Sequence, residues 1–201
     1  MTSPTKLAHV VLWTRRVQEM RNWYVKVLDG RVVHESPRGA FITYDDEHHR
    51  IAVVDPEASA RAARELVGSS EGLIGAGGTP APVPVGSESA VAPPLRGLAH
   101  VAFTFSALED LLSNWKRLKA DSITPTACIN HGPTTSMYYA DPDGNQIELQ
   151  IDNFETLDEG TAFMQSPSFA VNPVGIVFDP DDMLTRLRGG SKAADLVRPT
   201  W

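Results

Sequence analysis

The sequence predicts an α+β protein: two βαβββ modules packed about a pseudo-twofold axis, followed by a C-terminal extension. Three observations lead there. A strand-like segment occurs twice, as Leu7-Ala8-His9-Val10-Val11 and as Leu98-Ala99-His100-Val101-Ala102. Each copy runs into a stretch of helical apolar spacing, and three short β-type runs follow each helix. Neither half can bury both faces of so small a sheet, so the two must pack on each other. The division that follows is a first module over residues 1–55, a connector over 56–96, a second module over 97–152 and an extension over 153–201.

The elements follow in chain order. Val17, Met20, Tyr24 and Val27 form one helical stripe after the first strand, and Asp29-Gly30 supplies its stop. Strand-like runs then occupy Arg31–His34, Ala40–Tyr44 and His49–Asp55. In the second half Leu108, Leu111, Leu112, Trp115 and Leu118 make the stripe, with Ser106 and Glu109 at the spacing of a capping box. The strands there are Ile123–Ile129, Ser136–Ala140 and Gln146–Ile151, with Asp143-Gly144 as the turn before the last.

Between the halves, Asp55-Pro56-Glu57 has the pattern of an N-cap followed by proline in the first helical turn. From Gly68 to Gly97, 12 of 30 residues are Gly or Pro, a composition that suits a surface connector and not a core. The extension reads as a helical stretch near Glu155–Met164, an Asn172–Val177 run and a short helix from Asp179, wrapped on the modules or on a partner subunit.

Composition narrows the function classes. The chain has 201 residues, 18 Lys and Arg against 25 Asp and Glu, and a net charge of −7 with no basic block, which disfavours nucleic-acid binding. Its apolar runs are strand-sized, too short to span a bilayer, and no secretory leader pattern opens the sequence. A lone cysteine, Cys128, has no internal partner and reads as a small core residue, so a reducing, cytoplasmic setting is expected. Trp115 belongs to its helix stripe, Trp13 ends a strand, and Trp201 is expected to fray.

Superposing the repeats places His9 on His100 and Glu148 on Ala52. Four symmetric positions facing a shared cleft therefore hold histidine, histidine, glutamate and alanine. Two imidazoles and a carboxylate form a facial triad that leaves metal positions open, the pattern of non-haem Fe(II) oxygenases, and Mn(II) also suits it. Either histidine alone could be an ordinary core residue, and Glu148 could face solvent. A carboxylate on an otherwise apolar strand, however, is costly to bury unless it meets a cation.

These residues, together with Tyr138-Tyr139-Ala140-Asp141-Pro142-Asp143-Gly144-Asn145-Gln146-Ile147-Glu148, resemble the vicinal-oxygen-chelate superfamily. That group includes glyoxalases, fosfomycin-modifying enzymes, bleomycin-binding proteins and type I extradiol dioxygenases. The resemblance implies a half-open barrel of two modules with His9, His100 and Glu148 as metal ligands. Finer matches point to one-domain members of the extradiol branch. His48-His49 is similar to a histidine pair whose second member, here His49, acts on the substrate proton and on oxygen. Asn130-His131-Gly132 with Tyr138 resembles a histidine and a hydrogen-bonding tyrosine outside the ligand set, and Asn172-Pro173-Val174-Gly175 resembles the tails of one-domain members.

The resemblance thus implies an Fe(II)-dependent ring-cleaving dioxygenase, a homo-oligomer whose partners are a small catechol-type diol and dioxygen. A histidine near neutral pKa suits removal of the diol proton, and a tyrosine hydroxyl suits donation to a ring oxygen. Strand parity, counted in twos back from Ala52, favours His48 over His49, so that choice stays open. His131 also reads as an ordinary loop residue, and of Tyr138 and Tyr139, which point to opposite faces, one is only packing. Two rivals remain. One is another metal enzyme of the same fold, a thiol transferase or glyoxalase-like lyase. The other is a metal-free protein that binds a flat aromatic ligand.

Overall fold

The computed structural model describes residues 6–59, 61 and 98–201. Strands β1 (Val10–Trp13), β2 (Arg31–Ser36), β3 (Gly39–Thr43) and β4 (Ile51–Val54) form a sheet in the order β1-β4-β3-β2, with helix α1 (Val17–Val27) on one face. Strands β5 (Val101–Thr104), β6 (Ala127–Asn130), β7 (Thr134–Ala140), β8 (Gln146–Asp152) and β9 (Ile176–Val177) form a second sheet, β5-β8-β7-β6-β9, with helix α2 (Leu108–Ala120). In each sheet the first strand runs parallel to the fourth and the other pairs are antiparallel. Beyond residue 61, the connector expected over 56–96 lies outside the described residues; before it, Asp55 caps the amides of Glu57 and Ala58 as its sequence predicts.

Alternation along the strands builds the core. Ala40, Ile42, Ile51 and Val53 face Met20, Tyr24 and Val27 of α1, while Met137, Tyr139, Ile147, Leu149 and Ile151 face the Leu and Trp stripe of α2. Tyr139 is therefore the packing member of the tyrosine pair. Cys128 is buried too, and burial followed by the nearby Asp179 charge pushes its thiol up to about 11, as suits an inert core thiol.

Several boundaries differ from the sequence pattern for identifiable reasons. β1 and β5 begin three residues later than expected. Their registers, Val10 opposite Ile51 and Val101 opposite Ile147, leave residues 7–9 and 98–100 facing loops that offer no ladder partner. β4 begins at Ile51, so His48 and His49 precede it. β6 begins only at Ala127, after Pro125, which has no N–H to give the ladder. Ser106 does not cap α2, whose N-cap is Ala107 with no side-chain bond. A complete capping box occurs instead at Thr156 and Glu159, opening α3 (Leu157–Met164).

The extension continues with α4 (Pro167–Val171), α5 (Pro180–Arg188, capped by Asp179) and α6 (Ala193–Val197). It packs on the second module: β9 pairs with β6, and Met183, Leu184, Leu196 and Val197 join the core. Trp201 does not fray but lies edge-on to Phe163, ring centres 6.4 Å apart.

Asp141 ties the modules together. The Asp143-Gly144 turn is not a bare two-residue hairpin loop but is organised around this buried carboxylate. It accepts from the amides of Asp143 (3.0 Å) and Asn145 (2.8 Å) and from Asn145 Nδ2 (2.8 Å). Gly144, at φ +87°, takes the left-handed residue of the turn. The buried Tyr24 hydroxyl of α1 donates at 3.0 Å to Oδ2 of the same carboxylate, the oxygen that also accepts from Asn145 Nδ2, and Arg16 reaches the Pro142 carbonyl. Asn114 and Arg117 of α2 donate to the Val27 and Lys26 carbonyls at the end of α1. Tyr24→Phe removes one donor from a charged, buried acceptor and should lower the unfolding free energy by about 1–3 kcal/mol at unchanged m-value in urea. An unchanged midpoint would show that this bond does not link the modules.

Candidate metal and diol site

The face of each sheet turned away from its helix carries the chemistry. In the second sheet the register aligns Ala102, Glu148, Tyr138 and Ala127 across four strands. In the first sheet the corresponding row is Val11, Ala52, Phe41 and His34. The ladders thus pair Glu148 with Ala52 and Tyr138 with Phe41, as the repeat implies. The first row has lost the polar pair; the second keeps it between two alanines that leave room beside it.

Glu148 is 5% exposed, between Ile147 and Leu149, and each carboxylate oxygen has a partner. His100 Nε2 lies 3.0 Å from Oε2, and the Tyr138 hydroxyl lies 3.0 Å from Oε1. Tyr138 in turn meets His131 Nε2 at 2.9 Å, and His131 Nδ1 meets the Val174 carbonyl at 2.6 Å. Burial, reinforced by the Glu148 charge, raises the Tyr138 pKa well above its ordinary value, so the phenol stays a proton donor at neutral pH.

The remaining expected residues form a second group on the first module. The His9 and His49 rings stack with centres 4.3 Å apart, and His49 stacks on Phe41 at 4.6 Å. The Nδ1 atoms of His48 and His49 lie 2.5 Å apart, and the His48 ring is the more exposed. Because both precede β4, strand parity does not govern them, and it is His49 that reaches the His9 ring. Burial, then the charges of His9 and His48, lower the His49 pKa, which favours the neutral base near pH 7.

Among the described residues, no three His, Cys, Asp or Glu side chains converge into a set able to hold a metal ion. The structure brings together His100, Glu148, Tyr138 and His131 on one module and His9, His48 and His49 on the other. A histidine nitrogen and a carboxylate oxygen 3.0 Å apart have the separation of neighbouring ligands on one octahedral cation bound at roughly 2.1 Å, so this pair fits such an ion.

Sequence reasoning passed over Arg50. Its guanidinium bonds the Leu7 and Ala8 carbonyls at 2.6 and 3.0 Å and Asp45 at 2.9 Å, fixing the segment that carries His9. An arginine heading an apolar strand was the only signal. The role of Asp141, inside a quoted motif, was likewise invisible without its Tyr24 partner.

The sequence profile described as Glyoxalase/Bleomycin resistance protein/Dioxygenase superfamily matches residues 6–149. The chain belongs to this superfamily. Among curated superfamily relatives, Biphenyl-2,3-diol 1,2-dioxygenase 2 of Rhodococcus globerulus is 42% identical over all 201 residues, covering 91% of that protein. Biphenyl-2,3-diol 1,2-dioxygenase 3 of the same organism is 37% identical over the whole chain and 92% of its own length. Among solved structures, lactoylglutathione lyase from Agrobacterium tumefaciens aligns over 75% of this chain and 96% of its own, with a TM-score of 0.50 and 18% identity. That likeness concerns the superfamily fold alone.

The Arg50 guanidinium holds Asp45 below the usual carboxylate range, with the Glu47 amide and Thr43 hydroxyl adding to the effect. A carboxylate depressed in the folded state contributes stability above its unfolded pKa, about 3.9, and loses it as pH falls through the folded value. Melting temperature should therefore fall more steeply below about pH 4 for the parent than for Asp45→Asn. Parallel curves would show that this ion pair does not anchor the His9 segment.

Proposed function

We propose that this protein is an extradiol dioxygenase: it opens a catechol-type aromatic diol with dioxygen, using one Fe(II) held by His9, His100 and Glu148. The observation that carries the reading is Glu148, a buried carboxylate with His100 on one oxygen and a protonated tyrosine on the other. The full-length similarity to two biphenyl diol dioxygenases supports the same reading.

Bound there, Fe(II) would supply Lewis acidity toward the diol hydroxyls and a site for dioxygen. The chain's own residues do the rest. His100, just before β5, and Glu148 on β8 would offer the metal donors of two types, and His9 of the first module would be the third ligand. His49, favoured in its neutral form, accepts the proton of the incoming diol at its imidazole nitrogen. Tyr138 donates its hydroxyl hydrogen to a ring oxygen as charge develops there. His131, behind Tyr138, stabilises the hydroxyl's position. Ala102 and Ala127 leave space for a flat ring over the sheet.

The test is anaerobic loading with Fe(II), then exposure to a catechol panel while following oxygen uptake and the yellow ring-opened product. Stoichiometric uptake and product are expected; iron-loaded protein inert toward the whole panel contradicts the reading. His49→Phe should keep its iron and lose turnover by about 10²-fold or more. A full-rate His49→Phe beside a dead His48→Phe would assign the proton transfer to His48.

A further inference from the structure

The C-terminal extension has no counterpart in either module, yet it grips one corner of the second sheet at three successive residues. Asn130, 3% exposed, donates through Nδ2 to the Val197 carbonyl at 2.8 Å. Gly132, at φ +96°, lies under the Phe163 ring, which a Cβ there would strike. Between them, His131 Nδ1 meets the Val174 carbonyl at 2.6 Å. We propose that the 172–175 turn is a positioning device that fixes His131 as its Nδ1–H tautomer, leaving the Nε2 lone pair facing Tyr138.

The argument is one of donors and acceptors. A carbonyl oxygen can only accept, so a nitrogen 2.6 Å away must carry the hydrogen. The alternative tautomer would set two lone pairs against each other. On the far side of the ring, Tyr138 has a single hydrogen and two neighbours, His131 Nε2 at 2.9 Å and Glu148 Oε1 at 3.0 Å. With Nδ1–H fixed, neutral His131 offers Nε2 as a second acceptor for that hydrogen, in competition with Glu148 Oε1. The opposite tautomer would turn a hydrogen on Nε2 toward the Tyr138 oxygen, so the turn decides which kind of group the tyrosine meets.

The turn is built to hold the carbonyl there. The Asn172 side chain closes it from both ends, accepting from the Gly175 amide at 3.0 Å and donating to the Gly175 carbonyl at 2.9 Å. Gly175 sits at φ +95°, and a Cβ on it would stand 2.0 Å from the Asn130 carbonyl oxygen, so only glycine lets the turn lie this close to His131. Pairing of Ile176 with Asn130 then fixes the register. Asn172 and Gly175 are thus positioning residues that act through His131.

The tautomer itself is independent of the proposed reaction; its effect on turnover rests on the dioxygenase reading. Long-range 15N–1H spectra of the full-length 15N-labelled chain without added iron, with His131 assigned by loss of its signals in His131→Gln, read the ring directly. With its imidazoles neutral, the parent should show only the Nδ1–H form at His131, and Asn172→Ala and Gly175→Ala should show a mixture. In iron-loaded protein, Asn172→Ala should lose about tenfold or more in kcat at unchanged KM and iron content, and Asn172→Asp, which retains the acceptor for Gly175 N–H, should recover part of the loss. A parent holding the Nε2–H form overturns the proposal whatever the variants do, and so does retention of a pure Nδ1–H form in both loop variants. A pure Nδ1–H parent that cleaves no catechol leaves the tautomer standing and removes the dioxygenase reading instead.

Discussion

A carboxylate buried in an apolar sheet costs several kcal/mol unless its charge is met, and the second module is organised around meeting that of Glu148. One oxygen faces His100, just before edge strand β5, and the other faces Tyr138 from the strand on the opposite side. Tyr138 is backed by His131, and His131 by the extension. The chain of bonds therefore runs from an edge strand through two central strands to a segment outside the repeat. No neutral substitution at Glu148 preserves the role of each member, because each is oriented by the next.

The first module is the same scaffold with that constraint removed. Ala52 and Phe41 stand where Glu148 and Tyr138 stand in the second, and Phe41 stacks on His49 instead of bonding a carboxylate. The second module thus presents His100, a carboxylate and a phenol, and the first presents His9, His48 and His49. Their cooperation depends on how the modules are fastened. The fastening is polar: Asp141 of the β7–β8 turn holds Tyr24 of α1, and the α2 side chains Asn114 and Arg117 bind the carbonyls at the end of α1.

Much of this was legible in the sequence because it lies in periodicity. The repeated Leu-Ala-His segment, the two helix stripes and the isolated Glu148 each reflect a local rule that tertiary contacts did not override. What was not legible depends on partners remote in sequence. β1 and β5 start late because the opposing segments are loops, which no reading of Leu7 or Leu98 reveals. Ser106 had the right spacing for a cap but not the backbone position, whereas Thr156 had both. The parity argument for His48 failed because β4 begins at Ile51, a boundary two residues later than the β-type pattern suggests. The extension looked featureless because its contribution at His131 is a backbone carbonyl, which no side-chain pattern marks.

The central claim is that one ion unites histidines from two different modules with a single glutamate. Titration of the iron-free full-length chain with Mn(II), followed by electron paramagnetic resonance, tests it most directly. One site per chain is expected, with His9→Ala and His100→Ala each weakening that same site by comparable factors and leaving the fold intact. A His9→Ala chain that binds Mn(II) at the parent affinity and stoichiometry would contradict the account.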